Sequence, residues 1–466
     1  MTSLPRLHGS AKPADRRTGT SVHAFYPGGA AAARPVIRRA SGIYYWDNAD
    51  RRYIDATSGP VCTNLGHGNP RVLRAMTEQA QALVFAHPIQ FETEIGARLA
   101  ERLCAMAGPG YERVVFSSGG SEAVEVALKL ARQFACARGE SSRWKVISRE
   151  PSYHGTTLGA LSLTGDIAAQ EMFGPMVRSM PRIPAPLGYR RPPNYTVESY
   201  AEFCADRLES EIREQGPETV LAFILEPVGG LSTGALVAPA TYYRRVREIC
   251  DRYGVLLIHD EVMSGAGRTG RFLAADHWGV RADITILAKG IAAGYTPFGA
   301  TLVSEEFAQT IADAGGIATN FTYFCNPLSC AISLAVLEEI EAEGLVRRAA
   351  ESGAYLKARL CEIAECSSIV GEVRGIGLML AMELVADKQT GDMLRNDVVA
   401  PNRFQQLALR HGLAIYARRT SRGRYGDWIM VAPPLIITRD EIDDLTARLK
   451  SALTEFESEL RREGTL

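Results

Sequence analysis

The sequence predicts an α/β protein, and three observations support this fold class. Two short apolar runs, residues 255–258 and 284–288, have the length of buried strands, and charged residues follow each of them. A third short run, residues 113–116, passes through a turn rich in serine and glycine into a stretch whose apolar residues recur with the period of an α-helix. Buried strands that alternate with helices are typical of a mostly parallel sheet covered on both faces.

The N-terminal region has a different composition. Residues 43–54 predict two short strands around a turn. Residues 55–70 are rich in Gly, Pro, Asn and Ser, which indicates a loop, and loops of this length are commonly functional. We therefore consider this segment a candidate loop on the substrate side of a site. Helices are predicted over about residues 71–83 and from near residue 92.

The turn at residues 117–121, Ser-Ser-Gly-Gly-Ser, is a candidate phosphate site. It joins a predicted strand to a predicted helix, and at such a junction free N–H groups and the positive end of the helix dipole face an anion. Glycine also lets the backbone approach the anion closely. A serine N-cap without any ligand, at Ser118 or Ser121, is the alternative explanation of the same pattern.

Two more predicted strands deliver polar groups at their ends. Tyr153 and His154 follow the strand at residues 145–148, and Glu226 follows the strand at residues 221–225. Ligands of open α/β sheets bind at the carboxyl ends of the strands, so these side chains are expected near a ligand. An aromatic ring such as that of Tyr153 can lie flat against a planar ligand, although tyrosine and histidine are also common in ordinary loops.

Asp260 and Lys289 end the two apolar runs named first, so both are expected at one edge of the sheet. A buried amine and a buried acid in reach of one ligand meet the requirements of a pyridoxal phosphate (PLP) site. There, lysine forms a Schiff base with the aldehyde and the carboxylate keeps the pyridine nitrogen protonated. The alternative is structural: an aspartate that caps a loop, and a lysine whose stem is buried while its amine reaches water.

The chain beyond about residue 341 mixes shorter helices and strands. In order, the predicted elements are a helix (347–365), a connecting stretch (369–376), a strand (377–384), a helix (403–411), a strand (413–416), an arginine-rich loop (417–427) and a strand (428–431). A capping box at Thr438 and Glu441 then begins a final amphipathic helix.

Composition argues against several classes of protein. The chain has 466 residues, of which 46% are hydrophobic and 23% charged, with a formal net charge of −1, so nothing favours nucleic acid or an anionic membrane surface as a partner. Its nine cysteines are scattered, which favours reduced thiols in the cytoplasm and no metal site. We find no secretory signal and no apolar run near the roughly 18 residues of a membrane span. Residues 1–20 are expected to be a flexible tail.

Several motifs together resemble those of the class III (ω-type) aminotransferases, a family of PLP enzymes of fold type I. They are SSGGSEAVE, YHG, LEPV, DEVMSGAGRTG, LAKG and FTY, and the resemblance covers about residues 35–460. It implies a large domain with a central, mostly parallel, seven-stranded sheet flanked by helices, and a smaller α+β domain built from both chain ends. We expect the large domain over residues 71–335 and the small domain over residues 21–70 and 336–466.

The resemblance implies roles for three charged residues. Lys289 is expected to be the Schiff-base lysine and the proton shuttle, and Asp260 is expected to pair with the pyridine nitrogen. Glu226 resembles a family glutamate near the cofactor, which either orders the ring substituents or pairs with an arginine that gates the substrate.

The resemblance also implies the remaining cofactor contacts. Gly120 and Ser121 would bind the phosphate through backbone N–H groups, while Tyr153 and Val262 would pack on opposite faces of the ring. Thr322 resembles the residue that reaches the phosphate of a partner subunit. The active unit is therefore expected to be a homodimer or a dimer of dimers.

The expected reaction transfers an amino group from an amine or ω-amino acid to a keto acid, of the pyruvate or 2-oxoglutarate type, with ping-pong kinetics. The acceptor carboxylate requires a cation, and arginine binds carboxylate bidentately. We select Arg419 from the arginine-rich loop, although most of that cluster can equally be solvated surface. Phe85 and Cys62 are candidates for the wall of the amine pocket. Met263 replaces a residue that is frequently polar in the family, which leaves the substrate class open.

Two alternative functions remain. The same fold and residues can support a PLP-dependent lyase that eliminates ammonia or phosphate from an amino-alcohol or aminophosphonate. Alternatively, the chain is a catalytically inactive binding or regulatory protein, which the presence of both Lys289 and Asp260 disfavours.

Overall fold

Three β-sheets organise the described part of the chain. The computed structural model describes residues 34–318 and 320–466, and the strands within them are β1 (Ile37–Ser41), β2 (Tyr44–Asp47), β3 (Arg52–Asp55), β4 (Arg113–Ser117), β5 (Lys145–Glu150), β6 (Arg182–Pro184), β7 (Val220–Leu225), β8 (Leu256–Asp260), β9 (Ile284–Ala288), β10 (Gly299–Val303), β11 (Val370–Ile376), β12 (Met379–Leu384), β13 (Leu413–Ala414), β14 (Tyr416–Arg419) and β15 (Asp427–Val431). The central sheet has seven strands in the order β4-β10-β9-β8-β7-β5-β6. Strand β10 runs antiparallel to both of its neighbours and the other pairs are parallel, so the predicted α/β class and mostly parallel seven-stranded sheet are confirmed.

Helices cover both faces of the central sheet. The helices are α1 (Ser58–Val61), α2 (Pro70–Ala82), α3 (Glu94–Ala107), α4 (Gly120–Ala137), α5 (Leu158–Leu163), α6 (Ile167–Phe173), α7 (Val197–Gln215), α8 (Ala240–Tyr253), α9 (Glu305–Asp313), α10 (Pro327–Ala342), α11 (Leu345–Cys366), α12 (Ala400–Arg410) and α13 (Arg439–Arg462). Successive side chains of a strand point to opposite faces. Accordingly, Phe223 packs in the apolar cluster with α7 and α8, and Ile224 packs in the cluster with α4.

The other two sheets have four strands each. The N-terminal sheet has the order β1-β2-β3-β13, and its parallel pair β3–β13 joins the two ends of the described chain. The C-terminal sheet has the order β11-β12-β15-β14 and is antiparallel throughout. All strands of the central sheet lie within residues 71–335, and all strands of the four-stranded sheets lie outside that range. This distribution supports the domain boundaries that we propose from the sequence, but the tail at residues 1–20 lies outside the described residues.

Two predictions for the C-terminal region are wrong. Residues 369–376, expected to be a connecting stretch, contain β11, an edge strand whose residues are buried or partly buried. The arginine-rich loop is shorter than predicted, since Arg418 and Arg419 belong to β14. By contrast, the capping box is confirmed: the Thr438 side chain accepts the N–H of Glu441, and the Glu441 carboxylate accepts the N–H of Thr438.

None of the described helices is both long enough and apolar enough to cross a membrane.

Candidate active site

A cavity of about 400 Å³ lies at the carboxyl edge of the central sheet. It is lined by residues that follow or end β4, β5, β7, β8 and β9, which is the edge where the sequence predicts a ligand. The structure brings eight of the predicted site residues to this cavity: Cys62, Gly120, Ser121, Tyr153, Glu226, Asp260, Val262 and Lys289. The candidate loop at residues 55–70 also reaches it, through Pro60 and Cys62.

Lys289 follows the last residue of β9 and projects into the cavity. Its φ of +46° is a left-handed conformation, which is costly for a residue with a side chain and is often found at functional sites. Desolvation by the surrounding protein lowers the pKa of the Lys289 amine, while Asp260, Cys62 and Glu226 oppose that change. The amine is therefore more easily neutral than that of an exposed lysine, as a base or nucleophile requires.

Asp260 ends β8, in the middle of the central sheet, and its carboxylate has two hydrogen-bond partners. The Oδ1 atom accepts the backbone N–H of Val262 at 3.1 Å, and Oδ2 lies 2.9 Å from Nδ1 of His154. Both side chains are buried, and backbone N–H of His154 is itself fixed by Thr164 Oγ1 at 3.0 Å. Within the described structure, Nε2 of His154 is buried without a hydrogen-bond partner. The His154 ring therefore orients the carboxylate toward the cavity.

Glu226 follows β7 and is buried beside Asp260. Its Oε1 accepts the N–H of Gly230 at 2.8 Å, and its Oε2 accepts the N–H of Tyr153 at 3.3 Å. Burial raises the pKa of the Glu226 carboxyl, the nearby His154 and Arg149 oppose that rise, and Asp260 adds to it. Glu226 thus holds together two segments of the cavity wall.

The opposite end of the cavity is formed by the start of α4. The N-cap is Gly119, which provides no side-chain cap, so the first N–H groups of this 18-residue helix remain available to an anion. Gly120 packs closely against Val262, because a Cβ on Gly120 would lie 3.0 Å from Val262 Cγ1. The Ser121 hydroxyl accepts the N–H of Thr156 at 3.0 Å, which fixes the loop that carries Tyr153 near this helix.

Arg419 does not line the cavity in the described chain, so the geometry gives no support to its selection as the carboxylate-binding cation. Its guanidinium donates to both carboxylate oxygens of Asp427, at 2.9 and 3.0 Å, and these residues are paired across β14 and β15. Side chains alternate along β14, so Arg418 shares its face with Tyr416, which does line the cavity. Burial raises the pKa of Tyr416, and the Arg418 charge opposes this rise, as expected for an arginine at the cavity rim.

Phe85 and Thr322 also lie outside the cavity of their own chain. Phe85 is exposed, and its ring meets the ring of Tyr323 edge-on at 6.2 Å between centroids. Thr322 is exposed beside Tyr323. The structure therefore does not support Phe85 as a wall of the cavity in the single chain, and it leaves the role of Thr322 to an assembly of chains.

Comparison with known proteins decides the family. The family model described as aminotransferase class-III matches residues 26–453. The chain belongs to the class III aminotransferases. This aminotransferase is 36% identical to the uncharacterized aminotransferase YodT of Bacillus subtilis, over 93% of its own length and 98% of the relative's.

Two further similarities agree. A diaminobutyrate–2-oxoglutarate transaminase of Halomonas elongata is 35% identical, with 92% of each chain covered. The solved structure of an amine transaminase from an uncultivated Pseudomonas species, in its PLP-bound form, is 37% identical with a TM-score of 0.86, and covers 96% of this chain and 99% of that one. The predicted fold type I, PLP cofactor and transfer of an amino group to a keto acid are confirmed, and the relatives give no support to the lyase alternative.

The residues at the cavity fit PLP. The uncapped start of α4 suits its phosphate, the Asp260 carboxylate suits its protonated ring nitrogen, and Lys289 offers an amine to its aldehyde. Because Gly120 has no side chain, Val262 can pack close to the start of the helix.

Sequence patterns do not identify every residue of this site. They place His154 near a ligand without its contact to Asp260, and they give no reason to expect Val228 and Leu231 at the cavity. They place Tyr416 at the end of a strand and Arg418 in a loop. The alternation of side chains along a strand that continues to residue 419 is the signal that would place Tyr416 and Arg418 on one face.

Proposed function

We propose that this aminotransferase takes the amino group from a primary amine or ω-amino acid whose substituent is largely apolar, and that Lys289 is its catalytic base. One observation carries the proposal: the Lys289 amine and the Asp260 carboxylate end neighbouring parallel strands and line one cavity. The apolar residues Val228, Leu231 and Met263 line the same cavity, which supports an apolar donor substituent.

In this proposal Lys289 and Asp260 divide the proton chemistry. When bound, PLP supplies a protonated ring that withdraws electrons from the carbon next to the reacting nitrogen. Lys289 Nζ would take the proton from that carbon of the donor and pass it to the cofactor carbon that keeps the amino group, and it would carry a proton in the reverse direction when the keto acid is aminated. The Asp260 carboxylate would hold the ring nitrogen in its protonated form, and His154 keeps the carboxylate in place through its 2.9 Å contact.

The remaining predicted cofactor residues are proposed in the roles that the resemblance implies. The N–H groups of Gly120 and Ser121 bind the phosphate, and Tyr153 and Val262 enclose the ring. Glu226 orders this arrangement, because its carboxylate bonds to the segment of Tyr153 and to Gly230.

Arg418 is proposed as the cation that binds the keto-acid carboxylate. Its Nη2 donates to Asp166 Oδ2 at 2.6 Å, and about a third of its side chain, 35%, is exposed. Asp166 is the N-cap of α6 and retains a second contact with Ala168 N, so it can release Arg418 without losing its own position. A substrate carboxylate can then take the place of the Asp166 carboxylate, with the bidentate geometry that arginine favours.

A homodimer in which Thr322 reaches the partner's cofactor is also proposed. Four apolar side chains are exposed close together in sequence, Val84, Phe85, Ile89 and Phe91, and Tyr323 lies against them through Phe85. An exposed apolar patch of this kind is typical of a protein interface. We expect a dimer in size-exclusion chromatography with light scattering, and weaker PLP retention in Thr322→Ala; a monomer with full activity would refute this part.

A cytoplasmic location is proposed from the thiols. All nine cysteines lie in the described residues and all are free, which suits a reducing compartment. Fractionation of the native host with a detection antibody would test it.

The decisive test of function is a panel of amine donors against pyruvate and 2-oxoglutarate. We expect formation of the aminated acceptor with ping-pong kinetics, and covalent attachment of the cofactor at Lys289 after borohydride reduction, detected by peptide mass spectrometry. Release of ammonia or phosphate without a keto acid would instead establish a lyase. Binding of PLP without turnover of any donor would establish an inactive binding protein.

A further inference from the structure

The loop between β7 and α8 forms an apolar wall of the cavity and rests on the C-terminal sheet. Val228 and Leu231, from this loop, line the cavity. They belong to one apolar cluster with Met379, Trp428 and Met430 of that sheet. Leu231 is almost fully buried, so its side chain can move only if the surrounding contacts move with it.

Trp428 is the first of two side chains that hold this loop. It is fully buried, and its indole N–H donates to the backbone carbonyl of Leu231 at 2.9 Å. Its ring also packs against Gly234, where a Cβ would lie 2.7 Å from Trp428 Cγ and where φ is +57°. Trp428 therefore contacts both ends of the turn at residues 231–234.

Arg374 is the second. Its Nε donates to the carbonyl of Gly234 at 2.6 Å and its Nη2 to the carbonyl of Thr233 at 3.2 Å. The guanidinium is itself fixed by ion pairs with Glu372, at 2.7 Å, and with the buried Glu383. A guanidinium held by two carboxylates is a rigid donor, so the turn is bonded to an immobile group.

The other side of the loop is held by the cofactor side of the cavity. Glu226 accepts the N–H of Gly230 at 2.8 Å, and a Cβ on Gly230 would lie 2.6 Å from the sulfur of Met263. Residues 230–234 are thus fixed between Glu226 and the C-terminal sheet. A shift on either side changes the distance between Leu231 and Met263, which face the same space.

We propose that Trp428 and Arg374 are positioning residues that set how large a donor substituent the cavity accepts, because they fix the backbone that carries Leu231. The proposal rests on the proposed function and deepens it. The donors selected are primary amines whose carbon substituent fits against Val228, Leu231 and Met263. Acceptor binding at Arg418 is separate, since Arg418 makes its ion pair with Asp166.

The test uses the PLP-loaded enzyme and two variants that retain the main packing. Trp428→Phe keeps a buried ring and removes the N–H donor, and Arg374→Lys keeps a positive charge near Glu372 and Glu383 but cannot reach both carbonyls. Trp144→Phe is the matched control, because Trp144 packs under Arg178 away from the cavity. For each, kcat/KM is measured with the smallest and the largest amine donor that the wild type turns over, at saturating keto acid.

We expect the ratio of kcat/KM for the large donor to that for the small donor to change about fivefold in each variant, as the loss of one hydrogen bond allows. The KM for the keto acid and the absorbance band of the bound cofactor should stay unchanged, and the control should match the wild type. A ratio within twofold of the wild type in both variants would overturn the proposal. So would failure of both variants to fold, because a purely structural role would then account for these contacts. If the wild type transfers no amino group from any donor, the proposed function fails instead.

Discussion

The cavity has two charged regions that hold their charges in different ways. We call Asp260, His154 and Lys289 the floor, and Arg418 with its partner Asp166 the rim. Asp260 and its partner His154 are buried, and Asp260 and Lys289 end strands in the interior of the central sheet. Arg418, at the rim, lies on the edge strand β14 and has an ion-pair partner, Asp166, from another element. A charge on the floor cannot exchange its partner without a desolvation cost, whereas a half-exposed ion pair can. The floor is therefore suited to fixed chemistry and the rim to alternating substrates.

The largest effect is expected from Lys289. Lys289→Ala should lower turnover by about 10⁴-fold, because it removes the proposed base. Desolvation lowers the pKa of Lys289 in the folded chain below that in the unfolded chain, so the wild-type lysine costs stability at pH values below its ordinary pKa, pH 7 included. Lys289→Met should accordingly unfold, without cofactor, at a temperature no lower than the wild type at pH 7. Activity above one tenth of normal in Lys289→Ala would mean that another group moves the proton.

Asp260→Asn should have the next largest effect, a loss of about 10³-fold in turnover with little change in thermal unfolding. The amide can still accept the N–H of Val262 and can donate to Nδ1 of His154, so the fold is retained. It carries no charge to keep a proton on the ring nitrogen. Asp251→Asn, on the exposed end of α8, is the control. Near-normal turnover in Asp260→Asn would remove Asp260 from the mechanism.

The next residue along the chain, Glu261, is buried but does not line the cavity, and it gives a pH test of charge burial. Burial raises the pKa of Glu261 to about 7, while Ser264 and the N–H of Ala275 donate hydrogen bonds to it. The folded state therefore binds more protons than the unfolded state between about pH 4.5 and 7, and the contribution of Glu261 to stability falls as pH rises through that window.

Glu261→Gln removes this titration and keeps groups that can bond to Ser264 and Ala275. We expect the free energy of unfolding of the variant, relative to that of the wild type, to be higher at pH 8 than at pH 5 by up to about 3 kcal/mol. Chemical unfolding at these two pH values measures the difference. Equal differences at the two pH values would show that Glu261 is ionised throughout.

The same contrast explains what could be predicted from sequence. Asp260 and Lys289 lie at or just beyond the ends of buried strands, so their place at the sheet edge follows from local pattern and from the rule for parallel sheets. The contact between His154 and Asp260 joins residues 106 positions apart, and no local pattern reports such a contact.

The arginine at the rim could not be predicted for a different reason. The sequence around residues 417–427 is rich in Arg and Gly, which masks the short edge strand β14, and without that strand the faces of Arg418 and Arg419 cannot be assigned. Strand β11 is masked likewise, because Glu372 and Arg374 interrupt its apolar residues. The Arg374 side chain is nevertheless largely buried, since it pairs with the buried Glu383, and no local pattern reports that contact.

The smallest effect is expected from exchanging Arg418 or Arg419, and comparing the two variants tests the role of the rim directly. Arg418→Lys and Arg419→Lys both keep a positive charge and lose the bidentate fork. Arg418→Lys should raise the KM for the keto acid about tenfold and leave the KM for an amine without a carboxylate unchanged, because only the acceptor carboxylate uses this cation.

Arg419→Lys should leave both KM values unchanged and lower only the unfolding temperature, because Arg419 forms an ion pair with the buried Asp427. If Arg419→Lys raises the keto-acid KM and Arg418→Lys does not, β14 must turn over in the working enzyme and the rim is mobile enough to present its other face. If neither does, the acceptor carboxylate is bound by another cation, and Arg422 and Arg424 of the same loop are the next residues to exchange.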